Sequence, residues 1–158
     1  MTAAGPTDHS LDAITDALLV VSRVLVAVSA RSIADIDDTL TIPQFRSLVV
    51  LANVGAVSMG TLARLLGLQT SSTRRILESL AAAGLVVRRT GSGSQRDEVV
   101  NVSAKGRRVV NAVTARRRDA IAEIVSMMTP DHRDHLVRAL TAFAEASGEL
   151  AFDVDDLL

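Results

Sequence analysis

The stretch "LQTSSTRRIL", residues 68–77, decides the fold. Four small hydroxyl side chains, Thr70, Ser71, Ser72 and Thr73, run into the adjacent arginines Arg74 and Arg75, and an apolar pair follows. With Ile76 as reference and about 100° of turn per helical residue, Thr73, Ile76, Leu77, Leu80 and Ala83 fall on one side. Ser71, Arg74, Arg75 and Glu78 fall opposite, with Ala81 and Ala82 beyond them. This pattern predicts a helix with a buried apolar face. Its outer face is hydroxyl and guanidinium at the N-terminal end and nearly bare at the other.

Upstream, "SMGTLARLLGL" (58–68) reads as a short helix that stops at Gly67. The helix over 70–83 is closed by Gly84, and the turn Gly67-Leu68-Gln69 between the two is a helix-turn-helix signal. Downstream the period changes. "LVVRRT" (85–90) and "DEVVNV" (97–102) are β-rich runs around the Gly/Ser loop "GSGSQR" (91–96), which predicts a hairpin with a basic tip. A hairpin directly after a helix-turn-helix is a winged helix.

Farther out the chain is helical. Leu11, Ile14, Leu18, Val21, Leu25 and Val28 make one stripe of a helix over 11–36, and Leu19, Val20, Val24 and Val26 widen it until the helix is apolar almost all round. "TLTIPQFRSLVVLANVG" (39–55) is a second helix, with Pro43 in its first turn and Gly55 past its end. Ser103 caps a long helix from about Ala104 to Met128, and Thr129-Pro130 opens the last one. The fold class is therefore mainly α with a small β-hairpin wing: a winged helix-turn-helix of about six helices, dimeric. Its expected parts are an N-terminal dimerisation helix (1–38), a DNA-binding domain (39–103) and C-terminal dimerisation helices (104–158). The long outer helices have no partner in so small a domain, so they are expected to pack on a second copy.

Composition narrows the function. With 158 residues and 48 % of them apolar, the chain can bury a core. It has no Cys, which excludes disulfides, thiolate metal sites and thiol redox sensing. The start "MTAAGPTDHS" lacks a basic region and an apolar region, and the apolar run 18–28 contains Arg23 and is too short for a bilayer. The expectation is a cytoplasmic protein without membrane contact. The net charge of −1 conceals an asymmetry: residues 58–119 carry +8, and both flanks are acidic. A basic middle suggests a polyanion-binding surface.

A helix that enters the DNA major groove N-terminus first needs the face described for 70–83. An Arg fork matches guanine O6 and N7, hydroxyls bond bases or phosphates, and the helix start itself favours phosphate. The candidate recognition-helix contacts are Gln69, Thr70, Ser71, Ser72, Arg74, Arg75 and Glu78. The wing adds Arg88, Arg89 and Arg96, the last placed to enter a narrow minor groove. The bland alternatives are surface arginines paired with Glu78 and a solubilising loop.

These residues carry a resemblance. "TLARLLGLQTSSTRRILESLAAAGLVVRR…SQRDEVVNVSAKG" resembles the MarR family (multiple antibiotic resistance regulators). Ala63 and Gly67 match the small residues of the helix-turn-helix, "LESLAAAGLVVRR" the recognition helix running into the wing, and "VSAKG" (102–106) the opening of the fifth helix. The resemblance implies a bacterial transcriptional regulator, a repressor on family grounds. It also implies an obligate, triangular dimer held by helices one, five and six and bound to a pseudo-palindromic operator. One departure concerns the wing. The family's Asp-x-Arg is Ser94-Gln95-Arg96 here, with Asp97 as a possible replacement for the acid.

Family members commonly respond to a small phenolic or lipophilic effector, and the resemblance places its pocket among helices one, two and five. Arg23, Phe45 and Arg46 are the candidates there, against core packing for Phe45 and solvent exposure for the arginines. His132 and His135, beside Asp131 and Asp134, have a spacing that metals use, but a solvated helix start has the same composition, and no metal or cofactor is expected. "GSGSQR" lies between strands rather than before a helix, and no Ser/His/acid or paired-carboxylate set is present, so an enzyme is not expected. The rivals are a winged helix used for protein association and a ligand-sensing dimer that does not bind DNA.

Overall fold

The structure, a computed structural model, describes residues 10–90 and 98–147. The elements, in order, are α1 (Leu11–Ile36), α2 (Ile42–Val54), β1 (Val57–Ser58), α3 (Met59–Leu66), α4 (Thr70–Ala82), β2 (Val86–Thr90), β3 (Glu98–Val102), α5 (Ala104–Ser126) and α6 (Pro130–Ser147). Local chemistry sets most boundaries. Thr41 and Gln44 form a reciprocal capping box at the start of α2, and Gly55 ends it with φ 77°. Ser58 caps α3, and Gly67 in the left-handed region (φ 66°) closes it, so the chain reverses into α4.

The sequence reading missed one element. β1 pairs antiparallel with β3 through Val57↔Val100 and Ser58↔Val99, so it adds a third strand to the expected antiparallel β2–β3 pair, in the order β1-β3-β2. Two residues are too few for an alternating pattern to register. Two further details differ. α5 ends at Ser126, short of Met128. On α4, Ala81 packs against the core while Ala83 is exposed, the reverse of the wheel, because the helix gives way to its cap at Ala83.

The core lies where α2, α3, α4, the sheet and the N-terminal half of α5 meet. Leu48, Leu51, Leu62, Leu77, Val100 and Val113 are fully buried there, with Leu80 and Leu85 beside them. Each large apolar side chain removed from water contributes roughly 1.5–3 kcal/mol before entropy is charged against it. α5 joins this core at close quarters. Ser103 Oγ accepts from Gly106 N at 3.0 Å and donates to the Gly84 carbonyl at 2.7 Å, and Lys105 Nζ donates to the Ala83 carbonyl at 2.8 Å. The "SAKG" run is thus a double cap, of the start of α5 and of the end of α4.

The outer helices are different. α1 is 26 residues long and buries Val28, Ser32 and Ile33, all towards its C-terminal end; α6 buries none. By length and composition α1 could cross a bilayer, further than the run 18–28 suggests, but its C-terminal half packs on α5. Leu19, Val20, Val24 and Val26 on α1 and Val137, Leu140 and Phe143 on α6 are exposed. A groove between the two helices is lined by Leu18, Leu25, Leu140 and Phe143 among others. The turn from α5 to α6 is held by Arg133, which donates from Nε to the Val125 carbonyl (3.0 Å) and from Nη2 to the Ser126 carbonyl (2.6 Å). A cation on the last carbonyls of a helix is a C-terminal cap. Arg133→Ala is therefore expected to cost about 1 kcal/mol, measured as a lower midpoint in urea denaturation.

Candidate nucleic-acid interface

The helix-turn-helix presents α4 by burying one side of it. Thr73 and Leu77 are fully buried, Leu80 nearly so, and the Thr73 hydroxyl donates to the Gln69 carbonyl at 3.1 Å. This anchoring leaves Thr70, Ser71, Ser72, Arg74, Arg75 and Glu78 exposed on the other side, with Gln69 exposed at the N-cap. No side chain caps the first-turn amides. The positive end of the helix dipole therefore faces solvent beside two guanidinium groups, which together make an anion-receptive surface.

The pairing of Arg74 or Arg75 with Glu78 does not occur. Among the described residues the ion pairs are Arg88–Glu98 and Arg116–Asp35, and His135 Nδ1 lies 3.5 Å from Asp131 Oδ2. Both α4 arginines keep their donors free, and every candidate contact on the helix lies on one exposed face.

The wing divides its two described arginines. Strand alternation and the register Val86↔Val102 and Arg88↔Val100 put Arg88 on the face that carries the buried Val86, Val100 and Val102. There its Nε lies 3.0 Å from Glu98 Oε1, a diagonal cross-strand pair. Arg89 points to the other, exposed face. Arg88 is thus a brace within the wing, and Arg89 is its outward cation. Arg96, with Ser94, Gln95 and Asp97, lies outside the described residues.

The +8 segment is also not one patch. Lys105 caps α4, Arg107 Nη1 reaches the Ala52 carbonyl at the end of α2 (3.4 Å), and Arg116 Nε bonds Asp35 Oδ2 at 2.9 Å. Its hydrogen bond to Asp35, and then the charge of Asp35, push the Arg116 guanidinium further above its ordinary range. Both partners are about half exposed, so the bridge adds little stability. On the α1–α2 connector, the hydroxyl and then the amide of Thr39 hold the Asp37 carboxyl below its usual value. Sequence reasoning missed Arg64, an exposed cation on α3, the helix before the turn. Its signal was available, since the first helix of such a motif crosses the DNA backbone.

The effector candidates are not brought together. Phe45 is buried in the winged-helix core, while Arg23 and Arg46 are exposed. None of the three lines the cleft of about 420 Å³ between α1 and α5, whose walls are Val28, Arg31, Ser32, Asp35, Arg116, Ala120, Glu123 and Ile124. The face of α2 that carries Phe45 is the one turned to the core. His132 and His135 are exposed; His135 Nδ1 lies 2.8 Å from the Asp131 carbonyl oxygen, and no metal-binding group of three such side chains forms among the described residues.

Comparison with known proteins agrees with this architecture. The sequence profile described as the MarR family matches residues 38–97, the helix-turn-helix and most of the wing. The HTH-type transcriptional regulator ML2140 of Mycobacterium leprae is 31 % identical over 110 residues, which span 70 % of this chain and 77 % of that protein. The crystal structure of RV1404 from Mycobacterium tuberculosis superposes with a TM-score of 0.84 at 50 % identity, covering 92 % of this chain and 99 % of that one. A variant of Staphylococcus aureus MepR bound to an oligodeoxyribonucleotide shares the fold at a TM-score of 0.66 and 16 % identity, over 84 % of this chain and 96 % of that one. The helix-turn-helix, the wing and the flanking helices of this chain are thus those of a known group: the chain belongs to the MarR family of transcriptional regulators.

Proposed function

We propose that this regulator is a cytoplasmic homodimeric repressor that binds a pseudo-palindromic DNA duplex through α4 and the wing. The observation that carries the reading is the exposed face of α4, where unpaired Arg74 and Arg75 stand beside uncapped first-turn amides. In this reading Ser71, Ser72, Arg74 and Arg75 meet base edges and nearby phosphates. Arg64 and Arg89 meet the backbone, and Glu78 discriminates between bases. The same fold in the MepR variant holds an oligodeoxyribonucleotide.

The dimer is supported by what the single chain leaves uncovered. The N-terminal half of α1 and all of α6 expose Leu, Val and Phe side chains over neighbouring surfaces. Contiguous apolar surface of this kind marks an association site. α1, α5 and α6 then form the dimerisation body, and residues 39–103 form the reading head. An effector enters the α1–α5 cleft, whose lining joins the charged Arg31, Asp35, Arg116 and Glu123 to the apolar Val28 and Ile124. Binding there shifts the dimer between spacings of its two α4 helices.

The test is a titration of mixed-sequence duplex at increasing salt, with stoichiometry read by sedimentation. The expected result is two chains per duplex and an affinity that falls log-linearly with salt. A monomer, or binding indifferent to salt, would sink the proposal in favour of a protein-association module. Within the wing, Arg89→Ala is expected to weaken binding severalfold and to reduce the salt slope by about one. Arg88→Ala should leave that slope intact and instead cost about 0.2–1 kcal/mol of stability, read by thermal denaturation.

A further inference from the structure

Gln44 stands at the start of α2, and both ends of its side-chain amide are used. Its Oε1 accepts from Thr41 N at 2.7 Å, completing the cap of α2. Its Nε2 donates to Ser79 Oγ, on the third turn of α4, at 2.8 Å. One planar amide therefore joins the connector after α1 to the helix that carries Arg74 and Arg75. The connector is itself fixed: Asp37 Oδ1 accepts from the amide (3.0 Å) and the hydroxyl (2.6 Å) of Thr39, and Leu40 N donates to the Asp37 carbonyl at 3.2 Å. Ser79 lies one helical turn beyond Arg75 and next to Glu78. The apolar contacts of Leu77 and Leu80 that hold α4 against the core are non-directional. The Gln44–Ser79 hydrogen bond, exposed at the edge of that contact, is directional and adds an orientation to them.

We infer that Gln44 is a positioning residue for DNA reading. Through Ser79 it fixes the rotation of α4 relative to the end of α1, so that the arginine face meets base edges in register. The inference rests on the DNA-binding reading above, and it gives Gln44 a role that touches no DNA.

The two ends of the amide can be separated by mutation. Ser79→Ala removes the acceptor on α4 and leaves the cap of α2 intact. It also replaces an exposed helical Ser by a better helix former, so stability should hold or rise. Gln44→Glu keeps both links, because a carboxylate accepts from the Thr41 amide and from the Ser79 hydroxyl. Two quantities are measured on the full chain: amide hydrogen exchange across α4, without DNA, and the ratio of affinities for a selected duplex and a random one.

The expected result for Ser79→Ala is severalfold faster exchange in α4 and a threefold to tenfold smaller affinity ratio, with no loss of melting temperature. Gln44→Glu should match the wild type, and Gln44→Ala should match Ser79→Ala with an added loss of stability from the missing cap. Wild-type exchange in Ser79→Ala would overturn the inference and leave Gln44 as a cap alone. Faster exchange with an unchanged ratio would also overturn it, since α4 would then read DNA without the tether. A wild-type protein that prefers no duplex would instead refute the DNA-binding reading, and the exchange measurement would still decide whether Gln44 fixes α4.

Discussion

Replacing Arg74 and Arg75 together by alanine is expected to lower affinity for a specific duplex roughly 100- to 1,000-fold, each base contact being worth about 1–3 kcal/mol. Affinity for random duplex should fall far less, because in the proposed reading Arg64, Arg89 and the helix start would still meet phosphate. The fold should not suffer. Both side chains are exposed and neither has a partner among the described residues, so the melting temperature is expected to stay within a degree or two, as for surface sites in general. Titrations of the two duplexes at one salt concentration check this. An equal loss on both would reassign the arginines to phosphate contacts.

Gly106→Ala is expected to be the most damaging Gly→Ala change among the described residues. Gly106 is buried in the first turn of α5, and a Cβ there would overlap the Leu85 carbonyl oxygen and come within 2.9 Å of Val102 Cγ2. The carbonyl cannot step aside, because it accepts from Ser103 N at 2.9 Å and belongs to a residue sealed in the core. α5 would have to lift off the start of β2 and loosen the double cap by Ser103 and Lys105. Overpacking against backbone costs about 2–4 kcal/mol, or a melting temperature lower by roughly 5–15 °C. A calorimetric scan of the variant decides it. A stability equal to wild type would mean that α5 does not approach Leu85 this closely.

The sequence carried α4 because its two faces differ in chemistry as well as in period. Thr73, Leu77 and Leu80 on one side and Ser71, Arg74 and Arg75 on the other leave a single way to lay the helix on a core. Gly67 and Gly84 announced their turns because the backbone there has positive φ, and Ser103 announced α5 by capping it. What failed needed partners far away in the chain. β1 is two residues long and exists only through β3. Arg88 and Arg89 are adjacent, so any strand reading puts them on opposite faces. Only the register with Val100 and Val102 shows which one turns inward. The Gln44–Ser79 link spans 35 residues and the Arg116–Asp35 link 81, and neither leaves a local pattern. Phe45 is buried for a related reason. α2 has one apolar face, and the core claimed it.

The regional charge of 58–119 has a mixture of causes. Part of it caps helices or bridges α1 to α5, as Lys105, Arg107 and Arg116 do. The rest includes cations of α3, α4 and β2 that have no partner among the described residues. A charge count along the chain cannot separate structural cations from receptive ones; hydrogen-bond partners can.

The most direct test is selection of bound duplexes from a random library, with the wild-type protein and the Arg74→Ala/Arg75→Ala variant in parallel. The account predicts that the wild type enriches a two-fold symmetric site, with half-sites about 10 bp apart, and that the variant enriches none. If both proteins enriched the same site equally, or the wild type enriched nothing, α4 would not be the reading helix and the central claim would be contradicted.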